Sequence, residues 1–212
     1  MGNTKEKKID KNLPNKLTIL RIILVPVFII VLWLPLITNG AVDMFCTKLI
    51  SAIIFAVSAI TDFIDGKLAR KYNLVSNFGK FMDPLADKFL VIGSMLAMAL
   101  IYEGLARVWL IIALIICVFR ELAVSSVRLI AKNADGVVIA AAMPGKIKTF
   151  TQCIFVPLML LEEYIFSFLP APLPLSFVWA NMPLTFICWI LMNVFTIYSG
   201  MQYIMTYKKY IF

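Results

Sequence analysis

The groups best suited to chemistry in this sequence are two pairs of aspartates, Asp62 with Asp65 and Asp83 with Asp87. One pair is spaced three apart and the other four, so on helices the members of each pair share a face. They stand in the run Asp62-Phe63-Ile64-Asp65-Gly66-Lys67-Leu68-Ala69-Arg70, then eight residues, then Gly79-Lys80-Phe81-Met82-Asp83-Pro84-Leu85-Ala86-Asp87. Four carboxylates gathered in a water-poor pocket repel one another, so either some protonate or a cation binds. Donors that are all oxygen suit Mg2+ or Mn2+, whose remaining positions are commonly filled by substrate phosphates. Gly66 and Gly79 let a phosphate or ribose approach the backbone. Ala69, one turn beyond Asp65, keeps that face open, and Arg70 can pair with phosphate or pin a carboxylate. A solvated interfacial loop would account for a single acidic pair. Two pairs interleaved with glycines, beside apolar segments where ionisable groups are costly, point to function.

The elements that must position these groups are membrane spans. Of 212 residues, 62% are hydrophobic and only 15% charged, against about a quarter charged in soluble domains. Six apolar segments run over 17–37, 44–60, 85–102, 108–131, 147–169 and 183–206, near the roughly 20 residues that a helical crossing needs. The expected fold is therefore all-α: a polytopic membrane protein with six transmembrane helices over 17–212, preceded by a short juxtamembrane arm over 1–16. The first two aspartates end the second span and the last two begin the third. A short turn would make those helices antiparallel neighbours, with the two pairs facing one another. Glu162 and Glu163 interrupt the fifth segment.

Charge sets the orientation. Of the 20 lysines and arginines, all but Lys48 and Arg107 fall at the termini, in the second and fourth connections, or on the adjoining helix ends. By the positive-inside rule these parts face the cytosol, and the aspartates with them. The net charge of +8 is then explained by anionic lipid, and no nucleic-acid partner is expected. Trp33, Trp109, Trp179 and Trp189 lie near span ends, where interfacial anchors sit. The chain has no histidine, which excludes His-based triads and His general bases, and its four cysteines sit singly without metal or redox spacing. A cation channel or transporter is the rival of a different class. Its acidic site should lie near the bilayer midplane, whereas these carboxylates stand at one membrane edge beside basic residues.

The pattern Asp62-x-x-Asp65-Gly66-x-x-Ala69-Arg70, eight residues, Gly79-x-x-x-Asp83-x-x-x-Asp87 resembles, position for position, the signature of the CDP-alcohol phosphatidyltransferase family. That resemblance implies six transmembrane helices, a homodimer, and a CDP-linked lipid bound at a cavity open to the cytosol. It implies that Asp62, Asp65 and Asp83 hold metal, and that Asp87 is the base for the acceptor hydroxyl and sometimes also touches metal. It places CDP against Asp62, Gly66, Ala69, Arg70 and Gly79.

Three further segments bear on the acceptor: Asn12 to Arg21, Arg120 to Leu129, and Gly145-Lys146-Ile147-Lys148-Thr149 with Gln152 after it. Arg120 lies inside an apolar helix and must meet an anion or a carboxylate. Adjacent helical residues diverge, so Glu121 is not its expected partner. Arg128 returns to nearly the face of Arg120, and Lys146 and Lys148 are placed to converge from the next helix. Cations beside a carboxylate pocket suit a phosphorylated polyol as acceptor; the alternative is that they anchor spans at lipid headgroups. These segments resemble the bacterial branch that transfers the phosphatidyl group of CDP-diacylglycerol to sn-glycerol 3-phosphate in the inner membrane. The likeness runs from about Asn12 to Gln152. Branches using serine, inositol phosphate or phosphatidylglycerol are the nearest alternatives.

Overall fold

A computed structural model describes residues 13–72, 77–135, 143–167 and 182–208, and among these it contains helices and no strand. The order is α1 (Leu13–Ile37), α2 (Met44–Tyr72), α3 (Asn77–Ile101), α4 (Gly104–Asp135), α5 (Met143–Ser167) and α6 (Pro183–Thr206). Most of the expected N-terminal arm, and Trp179, lie outside the described residues. Five helices contain stretches long and apolar enough to cross a membrane: Asn15–Ile37, Met44–Ile64, Phe81–Ile101, Gly104–Ala131 and Pro183–Thr206. The remaining helix, α5, carries Lys146 and Lys148 near one end and Glu162 and Glu163 near the other.

Each helix presents large apolar side chains outward, among them Ile23, Ile30, Ile53, Leu96, Ile115 and Ile187, all more than half exposed. A water-soluble fold would bury such a surface, whereas hydrocarbon solvates it. The interior is built from Phe28 and Leu32 of α1, Phe55 of α2, Met95 of α3 and Phe155 of α5, all fully buried. Asp43 caps α2 by accepting the backbone N–H of Cys46 at 2.9 Å, which holds its carboxyl below the usual carboxylate range.

Two expectations about the aspartate-bearing helices are corrected. The helices outrun their apolar cores: α2 continues to Tyr72 and α3 begins at Asn77, so the aspartates do lie at the ends of the apolar spans Met44–Ile64 and Phe81–Ile101 but on continuing helical turns rather than at helix ends. Hydropathy sees only the part of a helix that lies in lipid. Nor do α2 and α3 form a packed hairpin. They touch only sparsely, while α1 packs extensively against both. Gly93 permits the approach of α1 to α3, because a Cβ there would stand 3.3 Å from Val25 Cγ1.

The acidic pair in α5 does not break that helix either. Glu162, fully buried, accepts the backbone N–H groups of Leu184 at 2.6 Å and Thr185 at 2.5 Å, together with the Thr185 hydroxyl. Pro183 opens α6 and has no N–H to satisfy. Glu163 ties α5 to α2 through Lys48 Nζ at 3.3 Å, and that ammonium also lies over the rings of Tyr102 and Tyr164. Two tryptophans are used between helices as well: Trp33 donates to the Ala97 carbonyl and Trp189 to that of Trp109, each at 3.0 Å.

Candidate active site

The first helix assembles the acidic centre. Thr18 and Arg21 are three apart on α1 and share a face. Thr18 Oγ1 donates to Asp83 Oδ1 of α3 at 2.6 Å, and Arg21 Nη1 meets Asp62 Oδ1 of α2 at 2.5 Å. Asp62 acts electrostatically on both Asp83 and Asp87, so these carboxylates share one region although their helices hardly touch. Asp65 stands one turn beyond Asp62 on the same face of α2, and Gly66, Ala69 and Arg70 follow on its last turns. The side chains of these α2 residues lie outside the described set. Gly79 is buried in the first turn of α3.

Arg21 corrects a sequence expectation. The charge count uses it for orientation and the segment Asn12 to Arg21 bears on the acceptor, yet it is fully buried and neutralises the Asp62 carboxylate. Its spacing from Thr18, the same three-residue step that joins Asp62 to Asp65, is the signal that could have marked it as a site residue.

The donor set suits a hard divalent cation. Every candidate group is a carboxylate oxygen, and among the described residues Asp62, Asp83 and Asp87 outnumber the one buried guanidinium paired with them. Among the described residues no three such groups stand as a closed metal cage, and Asp65 is the further donor expected of the set.

A second polar centre lies beside the first. Glu121 of α4 gathers three cations from three helices: Arg120 Nη1 at 2.7 Å and Lys148 Nζ of α5 at 2.6 Å from Oε1, and Lys88 Nζ of α3 at 3.9 Å from Oε2. The pairing of Arg120 with Glu121 overturns the expectation drawn from their adjacency. Neighbouring Cβ atoms do diverge, but the flexible guanidinium stem swings back far enough to span the gap. Arg120 also donates from Nε to Ser199 Oγ of α6 at 3.1 Å, and Lys88 donates to Ser125 Oγ at 2.6 Å. Both Glu121 and Lys148 act electrostatically on Asp87. The base candidate therefore stands where surplus negative charge meets surplus positive charge.

The four cations expected near the acceptor are sorted by this arrangement. Arg120 and Lys148 converge on Glu121. Arg128 does share the face of Arg120, since both guanidinia lie over the Tyr203 ring, at 5.1 and 6.0 Å, but it binds the Tyr203 hydroxyl at 2.9 Å and not Glu121. Lys146 lies on the exposed side of α5. Lys88, which in the sequence serves only to set orientation, joins the cluster, although a lysine near a span end normally snorkels to the interface. Chemically, the acidic centre could hold a divalent cation with a diphosphate, while the neighbouring cations could hold a second anion near Asp87.

Residues 11–203 match the family described as CDP-alcohol phosphatidyltransferase. A Bacillus subtilis protein named CDP-diacylglycerol–glycerol-3-phosphate 3-phosphatidyltransferase is 40% identical over 196 residues, which is 91% of this chain and 93% of that one. Proteins of the same name from Wigglesworthia glossinidia brevipalpis and Haemophilus influenzae are each 37% identical. The first match covers 72% of this chain and 78% of the relative, the second 66% and 71%.

Proposed function

The chain belongs to the CDP-alcohol phosphatidyltransferase family, and on that footing we propose that it transfers the phosphatidyl group of CDP-diacylglycerol to sn-glycerol 3-phosphate, giving phosphatidylglycerophosphate and CMP. The observation that carries the choice of acceptor is the cation cluster on Glu121, with Lys88 next to Asp87 in sequence and Lys148 acting on Asp87 across the bundle. Serine has no phosphate for such a cluster to bind. Relatives that share most of this chain carry the glycerol-3-phosphate name.

In this reading Asp62, Asp65 and Asp83 hold Mg2+ or Mn2+, with Asp87 in reach. Held by these carboxylates, such an ion would neutralise diphosphate charge and make CMP a better leaving group. Arg21 fixes one oxygen of Asp62 and Thr18 one of Asp83, which leaves each carboxylate a second oxygen to offer. Gly66, Ala69 and Gly79 leave room for the nucleotide, and Arg70 pairs with its phosphate. Arg120 and Lys148, assisted by Lys88, take the acceptor's phosphate; Arg128 and Lys146 lie further out on its path. Asp87 accepts the proton of the acceptor's hydroxyl as that oxygen attacks the lipid-side phosphorus. The bond from that phosphorus to the CMP oxygen breaks, and its electron pair leaves with CMP.

The cation distribution supports a reading in which the termini and this site face the cytosol from a bacterial inner membrane, and a homodimer is the expected assembly. The test is CMP release by purified protein given CDP-diacylglycerol and one acceptor at a time. Turnover with glycerol 3-phosphate, and not with serine, inositol phosphate or phosphatidylglycerol, is expected. Turnover with serine alone would overturn the assignment.

A further inference from the structure

Gln152 of α5 is 1% exposed, and half of its amide has no partner among the described residues. Its Nε2 lies 3.0 Å from Cys117 Sγ of α4, while its Oε1 is bonded to none of the described residues. An orphan amide atom inside a lipid-embedded bundle is costly and calls for an occupant. Ser51 Oγ is also orphaned, but it stands in the half of α2 nearer Lys48, away from both polar centres.

The surroundings of Gln152 indicate what that occupant is. Lys148 is one turn away on the same face of α5. Cys117, which holds the other end of the amide, is one turn from Glu121 and feels the charges of Lys148, Glu121 and Arg120. Cys153, the next residue along, feels those of Asp87 and Asp62. Gln152 thus shares a face with the cation cluster, and the next residue along the helix is within electrostatic reach of the acidic centre. Glycerol 3-phosphate has three polar parts. Its phosphate is assigned to Arg120 and Lys148, its reacting hydroxyl to Asp87, and its middle hydroxyl to nothing yet.

We infer that Gln152 hydrogen-bonds the non-reacting middle hydroxyl of the acceptor and so sets the preference for a three-carbon polyol phosphate. The inference rests on the acceptor assignment above and deepens it. A hydroxyl both donates and accepts, so either end of the amide can serve. A site built around such a bond strongly rejects an analogue lacking the group, because its buried polar atom is then left unpaired.

The experiment compares glycerol 3-phosphate with 3-hydroxypropyl phosphate, which lacks only the middle hydroxyl, using the full-length protein and CDP-diacylglycerol. The native protein should prefer glycerol 3-phosphate by about 100-fold or more in kcat/KM. In Gln152→Met, which keeps the side-chain length, turnover of glycerol 3-phosphate should fall far more than that of the analogue, and the preference should shrink to within about threefold. A native preference below threefold overturns the inference whether or not the variant folds. Equal losses on both acceptors overturn it too, and mean that the amide is satisfied by water or serves packing. If the native protein uses serine and not glycerol 3-phosphate, the acceptor assignment itself falls, and that outcome is visible before any variant is made.

Discussion

Arg21 of α1 and Asp62 of α2 form an ion pair 2.5 Å long in which the guanidinium is wholly buried and the carboxylate is 40% exposed. Replacing Arg21 with Met leaves Asp62 without its counter-charge. Losing one partner of a buried pair costs about 3–5 kcal/mol, and the partial exposure of Asp62 puts this case near the lower end. We expect Arg21→Met to unfold earlier in detergent by about that amount, and Arg21→Met with Asp62→Asn to lose less than the two single changes combined. Purely additive losses would mean that the pair is not coupled as described.

Asp87 accepts no ion pair from Arg21 and is left to act on the acceptor. Asp87→Asn keeps the side chain's shape, so the melting temperature should stay near native while kcat falls by about 10²–10⁴-fold, the range of a lost general base. Chelation should abolish turnover, and added Mg2+ or Mn2+ should restore it. Asp62→Asn and Asp83→Asn should raise the metal concentration needed for half-maximal rate. An Asp87→Asn protein with native turnover would remove Asp87 from its role.

How far the sequence carried the argument depends on what each signal measures. Hydropathy marked the spans because lipid-facing side chains such as Ile30 and Ile53 must be apolar. Segments ended at 60 and begun at 85 missed the helical turns 61–72 of α2 and 77–84 of α3, where polar residues are mixed with apolar ones. Helical spacing correctly put Arg120 with Arg128 on a shared face, because that follows from helix geometry alone. Spacing does not say which helix a face meets. The insertion of α1 between α2 and α3, and with it the importance of Thr18 and Arg21, was therefore not legible. The rule that separates Arg120 from Glu121 describes Cβ directions and fails for a side chain long enough to fold back.

Lys148 is 5% exposed and donates to Glu121 at 2.6 Å. If it also binds the acceptor phosphate, Lys148→Met removes one charge-assisted hydrogen bond worth about 1.5–3 kcal/mol. The KM for glycerol 3-phosphate should then rise about 10- to 150-fold, while that for CDP-diacylglycerol stays close to native. Steady-state kinetics with each substrate varied in turn separate the two. A matching rise for CDP-diacylglycerol would place Lys148 on the nucleotide and not on the acceptor.

Glu162 offers a control for stability without chemistry. It lies about 20 Å along α5 from Lys148 at helical rise, and it accepts the otherwise unpaired N–H groups that open α6. In Glu162→Gln one oxygen becomes an NH2 facing a donor, so one buried N–H is left unsatisfied, at a cost of about 1–3 kcal/mol. Thermal unfolding should report that loss, while kcat and KM at low temperature remain native. Altered kinetics in a protein that melts normally would contradict this placement.

Gly200 of α6 tests whether the position of Arg120 matters for binding. A Cβ there would stand 3.2 Å from Arg120 Cγ, closer than comfortable contact, so the arginine stem must give by a few tenths of an ångström. The cost of crowding a packed interior is about 1–3 kcal/mol, but alanine also gains about 1 kcal/mol over glycine within a helix. The two effects oppose one another, so the melting temperature of Gly200→Ala should move little. Function has no such offset. A displaced stem pulls the guanidinium away from Ser199 Oγ and from Glu121, to which it is bonded at 3.1 and 2.7 Å. We expect the KM for glycerol 3-phosphate to rise several-fold with kcat nearly unchanged, because Arg120 holds the acceptor and not the reacting atoms. If KM stays native while the protein melts normally, Arg120 serves the packing of α4 on α6, and the acceptor phosphate rests on Lys148 and Lys88.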